Sequence, residues 1–321
     1  MNHEDLEVIK LGGSILQDSV SFQQAVNIVE EELGRNRLPI CVVSAMKGVT
    51  DKIIKAVNRC YHEQGFQPRV FVESLLEDHI KALPKGVDAS PELVDEFEKL
   101  LHVLAYIKSS GELTDSVYAY AVSRGENFSS RVLAIHLQNR GISNQCFYGE
   151  EILVTDENYK EAEVELEPTQ ELLNKKLKEP IESNQVLIIA GFAGRSGSGR
   201  VTILGRGGTD DTAVNIAYGL GVKRVVKYVN EHGIMTIDPK FIEDMKDNHP
   251  DLLAQFYELP EPKVIPYISY VEASELLREG RTKVVHYKVL NPLMKGDIEF
   301  HIKNYQNNGN DGTVIGRVEE A

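Results

Sequence analysis

Three segments of this sequence place charge beside glycine or hydroxyl residues in arrangements that could bind phosphate. The first is "VIKLGGSIL", a strand-like run that carries Lys10 near its end and continues into Gly12, Gly13 and Ser14. Glycines at a strand end let backbone N–H groups approach a phosphate that a side chain would block. In open α/β sheets, ligands bind beyond the carboxyl ends of the strands. An ordinary turn that contains two glycines is the alternative interpretation.

The second segment, "VVSAMKGVTD", places Ser44 and Thr50 after another strand-like run. Small residues and hydroxyls at a sheet edge could donate hydrogen bonds to a ligand. On its own this pattern is weak, because Thr50 could simply cap the helix that follows.

The third segment covers residues 191–217 and is rich in glycine, with three arginines and two aspartates. It predicts the end of a buried strand, a hairpin over "GRSGSGRVTIL" and a glycine loop that leads into a helix capped by Thr209 or Asp210. The positive end of such a helix favours anions. The segment is neither a P-loop nor a dinucleotide fingerprint, because the glycine spacing fits neither motif. A glycine-rich loop without function is the alternative.

The bulk composition limits the partners. A net charge of −14 over 321 residues argues against nucleic acid or an anionic membrane surface as the main partner. The three cysteines, Cys41, Cys60 and Cys146, lack metal-ligand spacing and indicate buried thiols in a reducing compartment. The acidic N-terminus does not resemble a signal peptide, and no run reaches the eighteen or so apolar residues that a membrane helix needs. We therefore expect a cytoplasmic protein.

Strand-like and helical patterns alternate along the chain. The predicted strands are short and β-branched, namely "LEVIKL", "PICVVSA", "NQCFYG", "QVLIIAGF", "RVVKYV" and "IEFHIKN". A helix is predicted over Ser21–Asn36, with Ser21 and Gln24 as a capping box, and another opens at Ser90-Pro91. This alternation predicts an α/β fold, a three-layer α-β-α sandwich around a mostly parallel central sheet.

The domain organisation follows from the same patterns. We expect one domain over residues 1–321 with two lobes, and a helical insertion over 52–137 where nearly all the pattern is helical. The lobe of residues 1–204 is expected to bind the acceptor substrate, and the lobe of residues 205–321 to bind the nucleotide.

Taken in order, these segments resemble the catalytic domain of aspartate kinases in the amino-acid-kinase fold family, which shares its fold with carbamate kinases. The similarity is carried by "KLGGS", "VVSAMKGVTDKI", "SRGENFSSRVLA", "TILGRGGTDDTA", "IPYISYVEASELLREGRTKVVHYKVLNP" and "KNYQNNGNDGTVI". It extends from Leu6 to about Ile315. The order and number of the segments make the resemblance specific.

The resemblance implies transfer of the γ-phosphoryl group of ATP to the side-chain carboxylate of L-aspartate, giving 4-phospho-L-aspartate. Mg²⁺ would accompany the nucleotide, held mostly by phosphate and water, with no metal ligand assigned to the protein. The product would serve lysine, threonine or methionine synthesis. Kinases of the same fold that act on glutamate or N-acetylglutamate, and a non-catalytic nucleotide-binding regulator, are the alternatives.

The same resemblance assigns roles to individual residues. Lys10 would contact the transferring phosphate, and Asp210 would orient that lysine and the reacting groups. Asp211 is interpreted only as a first-turn carboxylate. The acceptor would be bound by Ser44, Thr50, Glu126 and Arg206. The nucleotide would be bound by Gly12, Gly13, Ser14, Asn230, Met235, Asp238, Lys240 and Lys283.

The segment "YVNEHGIMTIDPK" departs from the family pattern on the nucleotide side. Asn230 replaces an aspartate, Met235 replaces a tyrosine that faces the nucleotide, and Lys240 replaces an arginine. Asn230 carries no charge, Met235 can still cover a base, and Lys240 loses the planar fork. These departures put nucleotide preference in doubt more than reaction class.

The resemblance also bears on assembly and regulation. A homo-oligomer, such as a dimer, is expected, and a separate regulatory chain is possible. Most aspartate kinases continue beyond the "GTVI" segment into ACT-type regulatory domains, whereas this sequence stops a few residues later. The chain alone is therefore expected to be insensitive to lysine and threonine.

Overall fold

The computed structural model describes residues 5–237, 239–248, 261–279, 282, 284–306 and 312–317. The strands in these ranges are β1 (Leu6–Leu11), β2 (Leu38–Val43), β3 (Asn144–Tyr148), β4 (Val154–Thr155), β5 (Val186–Ala190), β6 (Ala193–Ser196), β7 (Val201–Ile203), β8 (Arg224–Val229), β9 (Tyr267–Ser269), β10 (Glu299–Asn304) and β11 (Thr313–Gly316). All six strands expected from the sequence are present.

Helices occupy most of the intervening sequence. They are α1 (Ser19–Gly34), α2 (Val49–His62), α3 (Pro68–Lys81), α4 (Pro91–Ser110), α5 (Asp115–Val122), α6 (Arg124–Asn139), α7 (Gly149–Ile152), α8 (Leu166–Glu182), α9 (Gly208–Leu220), α10 (Pro239–Asn248), α11 (Tyr270–Arg278) and α12 (Leu290–Gly296), with a 3₁₀ turn at Tyr287–Val289. The chain from α2 to α6 is helical throughout, which matches the helical stretch expected there.

The central sheet has eight strands in the order β3-β5-β2-β1-β8-β10-β11-β9. Every neighbouring pair is parallel except β10 and β11. The hairpin of β6 and β7 pairs with β4 in a separate three-stranded sheet. The main sheet is therefore mostly parallel, as the sequence predicted.

Two groups of helices cover the central sheet, α1 with α6 and α8 with α9. All residues of β1, β2 and β5 are buried. Strands that are buried along their whole length need helices on both faces of the sheet, and this gives the three-layer arrangement. The strands β1 and β8 are neighbours in the middle of the sheet. In their parallel register, Lys10 of β1 pairs with Lys227 of β8.

The structure corrects one predicted helix start and confirms another. The capping box of α1 is formed by Asp18 and Ser21, not by Ser21 and Gln24, because Asp18 accepts from the Ser21 N–H at 2.8 Å. Ser21 is thus the third helical residue rather than the cap. The Ser90 cap of α4 is confirmed, since its hydroxyl accepts from the Leu93 N–H at 3.3 Å.

The proposed division into two lobes at residue 204 stays a prediction. Residue 204 lies in the loop between β7 and α9, and strands from the two halves of the chain share one continuous sheet.

Candidate active site

A cavity of about 380 Å³ opens where β1 and β2 end. Its walls come from the loop after β1, the loop after β2 and the first turns of α2 and α6. The lining residues are Gly13, Ser14, Ser44, Ala45, Met46, Lys47, Gly48, Thr50, Asp51 and Glu126. The two loops are joined by backbone hydrogen bonds, from the Ser44 N–H to the Leu11 carbonyl at 3.0 Å and from the Lys47 N–H to the Leu16 carbonyl at 3.1 Å. A volume in this range suits a small ligand.

Gly12 and Gly13 are closely packed in the first loop. A Cβ added to Gly13 would lie 3.2 Å from the Ala45 carbonyl oxygen, and one added to Gly12 would lie 3.1 Å from Lys10 Nζ. Side chains at these positions would separate the two loops or displace the ammonium group. The glycines therefore leave backbone N–H groups open to a ligand at the end of β1.

Glu126 is the only residue from α6 that lines this cavity, and it lies in the first turn of that helix. Its Oε2 atom is buried and has no hydrogen-bond partner among the described residues. Burial raises the pKa of Glu126 to about 8, although the backbone N–H of Ala45 opposes the rise. A buried carboxyl group with this perturbed pKa at a cavity wall indicates a binding or catalytic site.

The hydroxyl residues of the second loop lie where the sequence placed them. Ser44 and Thr50 both line the cavity. The Ser44 hydroxyl donates to Thr209 Oγ1 at 3.0 Å, which connects the loop after β2 to α9. Thr50 does not cap α2, because the N-cap is Gly48, whose φ of 77° is in the left-handed region.

Lys10 and Asp210 form a buried ion pair at the start of α9. The Lys10 Nζ atom lies 2.9 Å from Asp210 Oδ1, and the two side chains are 10% and 6% exposed. A second lysine, Lys227 of β8, donates to Asp210 Oδ2 at 2.6 Å. Burial alone would raise the pKa of Asp210, but the two ammonium groups hold it below its usual value. Asp210 is therefore ionised at neutral pH between two cations.

The N-terminus of α9 differs from the sequence prediction. Gly207, in the left-handed region with a φ of 78°, is the N-cap, so Thr209 and Asp210 lie inside the first turn rather than at the cap. A Cβ on Gly207 would lie 2.4 Å from the Cβ of His286. Glycine is thus required both by the backbone angle and by this close approach.

Arg206 is exposed in the turn before α9 and forms no hydrogen bond or ion pair with the described residues. It does not line the cavity of the first two loops in this structure. Its charge lies close enough to His286 to contribute to lowering the pKa of that histidine, after the larger effect of burial and that of Lys288. The predicted acceptor arginine is therefore an exposed cation next to His286, unpaired as far as the described residues go.

The predicted nucleotide residues are only partly described. Asn230 is exposed at the end of β8, and its carbonyl accepts from Asn304 Nδ2 at 3.1 Å. Met235 is half-buried and pairs with Val264 in an isolated antiparallel bridge. Lys240 lies in α10. Asp238 and Lys283 lie outside the described residues.

The sequence reasoning missed Lys227. Its signal was a lysine between apolar residues in the strand "RVVKYV", which is also how Lys10 lies in "LEVIKL". Both strands are buried, so each lysine needs an anionic partner.

A larger cavity of about 520 Å³ lies between α4, α5, α7 and the hairpin of β6 and β7. The two buried charged residues that line it, Arg124 and Glu150, form an ion pair, although Glu150 Oε2 has no hydrogen-bond partner among the described residues. Arg124 is buried and bonds Glu150 and, at 3.3 Å, Glu96. Its guanidinium also lies over the Tyr120 ring, 4.4 Å from the centroid.

Other expectations concern metals, cysteines and membranes. In the described part of the chain, no three His, Cys, Asp or Glu side chains cluster as metal ligands. Cys41, Cys60 and Cys146 are free thiols, and burial raises the pKa of each. No helix within the described ranges is long and apolar enough to cross a membrane.

The fold and this site place the chain in a class. It belongs to the amino acid kinase family, whose model matches residues 5–251.

Among individual relatives, aspartokinase 1 of Arabidopsis thaliana, a chloroplastic protein, is 28% identical over 98% of this chain and 52% of its own length. The aspartokinase of Rickettsia felis is 28% identical over 97% of this chain and 60% of its own length. The chain thus spans about half to three-fifths of the length of these relatives.

Two solved structures show the same fold. Aspartokinase III of E. coli, in complex with aspartate and ADP, has a TM-score of 0.81 at 24% identity, with 98% of this chain and 65% of that chain covered. Carbamate kinase of Giardia lamblia has a TM-score of 0.56 at 11% identity, with 99% and 100% covered. The α/β architecture expected from the sequence is confirmed by these neighbours.

Proposed function

We propose that this chain transfers the γ-phosphoryl group of ATP to the side-chain carboxylate of L-aspartate. The observation that carries the proposal is the buried Lys10–Asp210 ion pair at the end of β1, beside a cavity whose wall holds Glu126, with one buried carboxyl oxygen that has no hydrogen-bond partner among the described residues. The names of the related proteins support aspartate as the acceptor.

The chemistry needs charge more than proton transfer. An aspartate side chain is ionised at neutral pH, so its oxygen can attack without a general base. The difficulty is that an anion must approach a polyanion, and catalysis then depends on positioning and positive charge. Lys10 would supply that charge at the transferring phosphate, with Asp210 fixing its position. The backbone N–H groups of Gly12 and Gly13 would donate beside it.

The nucleotide would enter with Mg²⁺, which neutralises negative charge on the phosphate oxygens when it is bound. The observed site fits phosphates, because its first loop leaves no room for a Cβ at Gly12 or Gly13 without displacing Lys10 or the second loop. Ser14, Asn230, Met235, Asp238, Lys240 and Lys283 are proposed as the remaining nucleotide contacts.

The acceptor would be recognised through its three charged groups. Glu126 would accept from the α-ammonium group, and Ser44 and Thr50 would add neutral hydrogen bonds. Arg206 would bind an aspartate carboxylate through its planar fork. Its exposed position, with no hydrogen-bond or ion-pair partner among the described residues, leaves the guanidinium available for this contact.

The test is an ADP-release assay on the purified chain with aspartate, glutamate and N-acetylglutamate as separate acceptors. Hydroxylamine trapping would report the acyl phosphate, and a reaction without acceptor would measure background ATP hydrolysis. We expect hydroxamate with aspartate alone. Equal turnover with glutamate or N-acetylglutamate would contradict the substrate assignment, and ADP release without trapped product would contradict the acyl transfer.

A further inference from the structure

Lys227 is a buried cation with two defined partners. It lies in β8, directly opposite Lys10 in the parallel register of β1 and β8, and its side chain is 8% exposed. Its ammonium group donates to Asp210 Oδ2 at 2.6 Å and to the Val284 carbonyl. One side chain therefore connects the sheet, the first turn of α9 and the segment that leads to the 3₁₀ turn at Tyr287–Val289.

A comparison of two adjacent carboxyl groups in α9 shows how contact with lysine affects the pKa. Asp210 and Asp211 are both buried in the first turn. Asp211 has an Asn215 amide as its hydrogen-bond partner at 2.9 Å, and burial raises its pKa to about 6. Asp210 has two ammonium groups in contact, and its pKa is lowered despite equal burial. The contacts with the two lysines therefore distinguish the pKa of Asp210, which is lowered, from that of Asp211, which is raised.

Lys10 alone could neutralise Asp210, so the second lysine needs its own explanation. Lys10 lies 2.9 Å from Oδ1, and Lys227 donates to Oδ2 at 2.6 Å, so each ammonium group contacts a different oxygen of the carboxylate. Lys227 also bonds the Val284 carbonyl and therefore has a fixed place at the carboxylate oxygen that Lys10 does not contact.

We propose that Lys227 is a positioning residue for phosphoryl transfer, which holds Asp210 ionised and oriented so that Lys10 is presented at the end of β1. This inference rests on the proposed function, and Lys227 is not expected to touch the substrate. Among the described residues, the charged or titratable groups that face Lys227 and Asp210 are Lys10, Asp211, Glu231 and His286.

The test compares Lys227→Gln, which keeps a hydrogen-bond donor but no charge, with Lys227→Arg, which keeps the charge. Lys227→Met replaces the Gln variant if that protein does not fold. The control is Lys223→Met, since Lys223 is an exposed lysine that donates to the Gly296 carbonyl at 2.6 Å, away from Asp210. Circular dichroism melts would establish that each variant is folded at the assay temperature.

We expect Lys227→Gln to lower kcat by about 10–100-fold, the scale for losing a group that orients a catalytic one, with the aspartate KM within about twofold of wild type. With one cation gone, Asp210 protonates more easily, so the acidic limb of the kcat profile should move to higher pH. In Lys227→Arg the acidic limb should return to its wild-type pH. The positioning role would be overturned if the acidic limb does not move in Lys227→Gln, or if a folded Lys227→Arg variant keeps the lowered kcat.

A measurement that needs no turnover separates this inference from the proposed function. The ¹³C carboxyl titration of Asp210 in the ligand-free protein should show a higher pKa in Lys227→Gln than in wild type and Lys223→Met. If wild type does not phosphorylate aspartate, the proposed substrate is wrong. The titration still tests whether Lys227 holds Asp210 ionised. No change in the titration would overturn the inference whatever the activity.

Discussion

The two cavities use buried charge in opposite ways, although neighbouring residues of one helix serve both. Arg124 and Glu126 are two positions apart at the start of α6, and both are almost fully buried. Arg124 faces the larger cavity and is bound by Glu96, Glu150 and the Tyr120 ring. Glu126 faces the smaller cavity and forms no ion pair in the described part of the chain. Glu150 at the larger cavity also has one carboxyl oxygen without a hydrogen-bond partner there, but its other oxygen is ion-paired with Arg124.

The difference separates a structural charge from a functional one. A buried ion with an oppositely charged partner holds neighbouring elements together, whereas a buried carboxyl group without such a partner stays protonated until a ligand supplies the opposite charge. Cavity size alone would have favoured the larger cavity. The pairing of the charges favours the smaller one as the active site.

The largest expected effect is on stability and concerns the larger cavity. Arg124→Met leaves Glu96 and Glu150 buried without their common partner, so we expect a loss of about 3–5 kcal/mol in the free energy of unfolding. Urea denaturation of the purified protein measures this loss. The control is Arg200→Met, an exposed arginine that lines the same cavity. A loss below about 1 kcal/mol for Arg124→Met would show that its charge is not needed for the fold.

The next effect is on catalysis and concerns the smaller cavity. Lys10→Ala removes positive charge from the proposed transferring phosphate and should lower turnover by about 10²–10³-fold. Folding should be retained, because Asp210 keeps its ion pair with Lys227 when the Lys10 ammonium group is removed. Steady-state kinetics test this, with Lys52→Ala as control, since Lys52 is exposed and paired with Asp78 at 2.8 Å. Wild-type turnover in Lys10→Ala would leave Lys10 as a structural ion-pair partner of Asp210 only.

A smaller effect should separate the acceptor from the nucleotide. Arg206→Lys keeps the charge and loses the planar fork, so the aspartate KM should rise about tenfold while the ATP KM stays near normal. The same kinetics on Arg200→Lys give the baseline for an exposed arginine outside the site. An unchanged aspartate KM would remove Arg206 from the acceptor site and leave it as the surface cation that the ligand-free structure shows.

Sequence reasoning located the smaller cavity because its residues lie in short segments with local signals. Gly13, Ser14, Ser44 and Thr50 follow predicted strands, and parallel strands bring their carboxyl ends to one edge. Glu126 came from the family resemblance, and no local pattern marks it as buried. The cap of α1 was misplaced because Asp18 and Ser21 compete with Ser21 and Gln24 for the same helix start.

The charge pairs could not be predicted in the same way. The contact of Lys227 with Asp210 depends on the register of β8 against β1 and on where α9 begins, and neither follows from local spacing. The network of Arg124 joins α4, α6 and α7, which are separate in the sequence. Tertiary packing decides which charges meet, so these roles appear only in the folded chain.

The last prediction concerns the proton on Glu126. The pKa of about 8 means that the folded, ligand-free protein keeps this group protonated at neutral pH, while an unfolded chain with a pKa near 4.5 releases the proton. Between pH 4.5 and 8 the folded state therefore binds the extra proton, and Glu126 makes the free energy of unfolding fall as pH rises. In Glu126→Gln the free energy of unfolding should fall less between pH 5 and pH 8 than in wild type. Denaturation measured at these two pH values tests this.

Ligand binding should reverse the protonation. The α-ammonium group of aspartate favours the ionised carboxylate, so binding near pH 7 should release most of one proton, and affinity should rise about fivefold from pH 7 to pH 8 before levelling off. Calorimetry in two buffers of different ionisation enthalpy measures the released proton. Glu126→Gln should bind aspartate weakly, with no proton release and no rise over this range. If wild type releases no proton and its affinity is the same at both pH values, the ammonium group does not meet Glu126, and the unpaired carboxyl group would no longer distinguish the smaller cavity from the larger one.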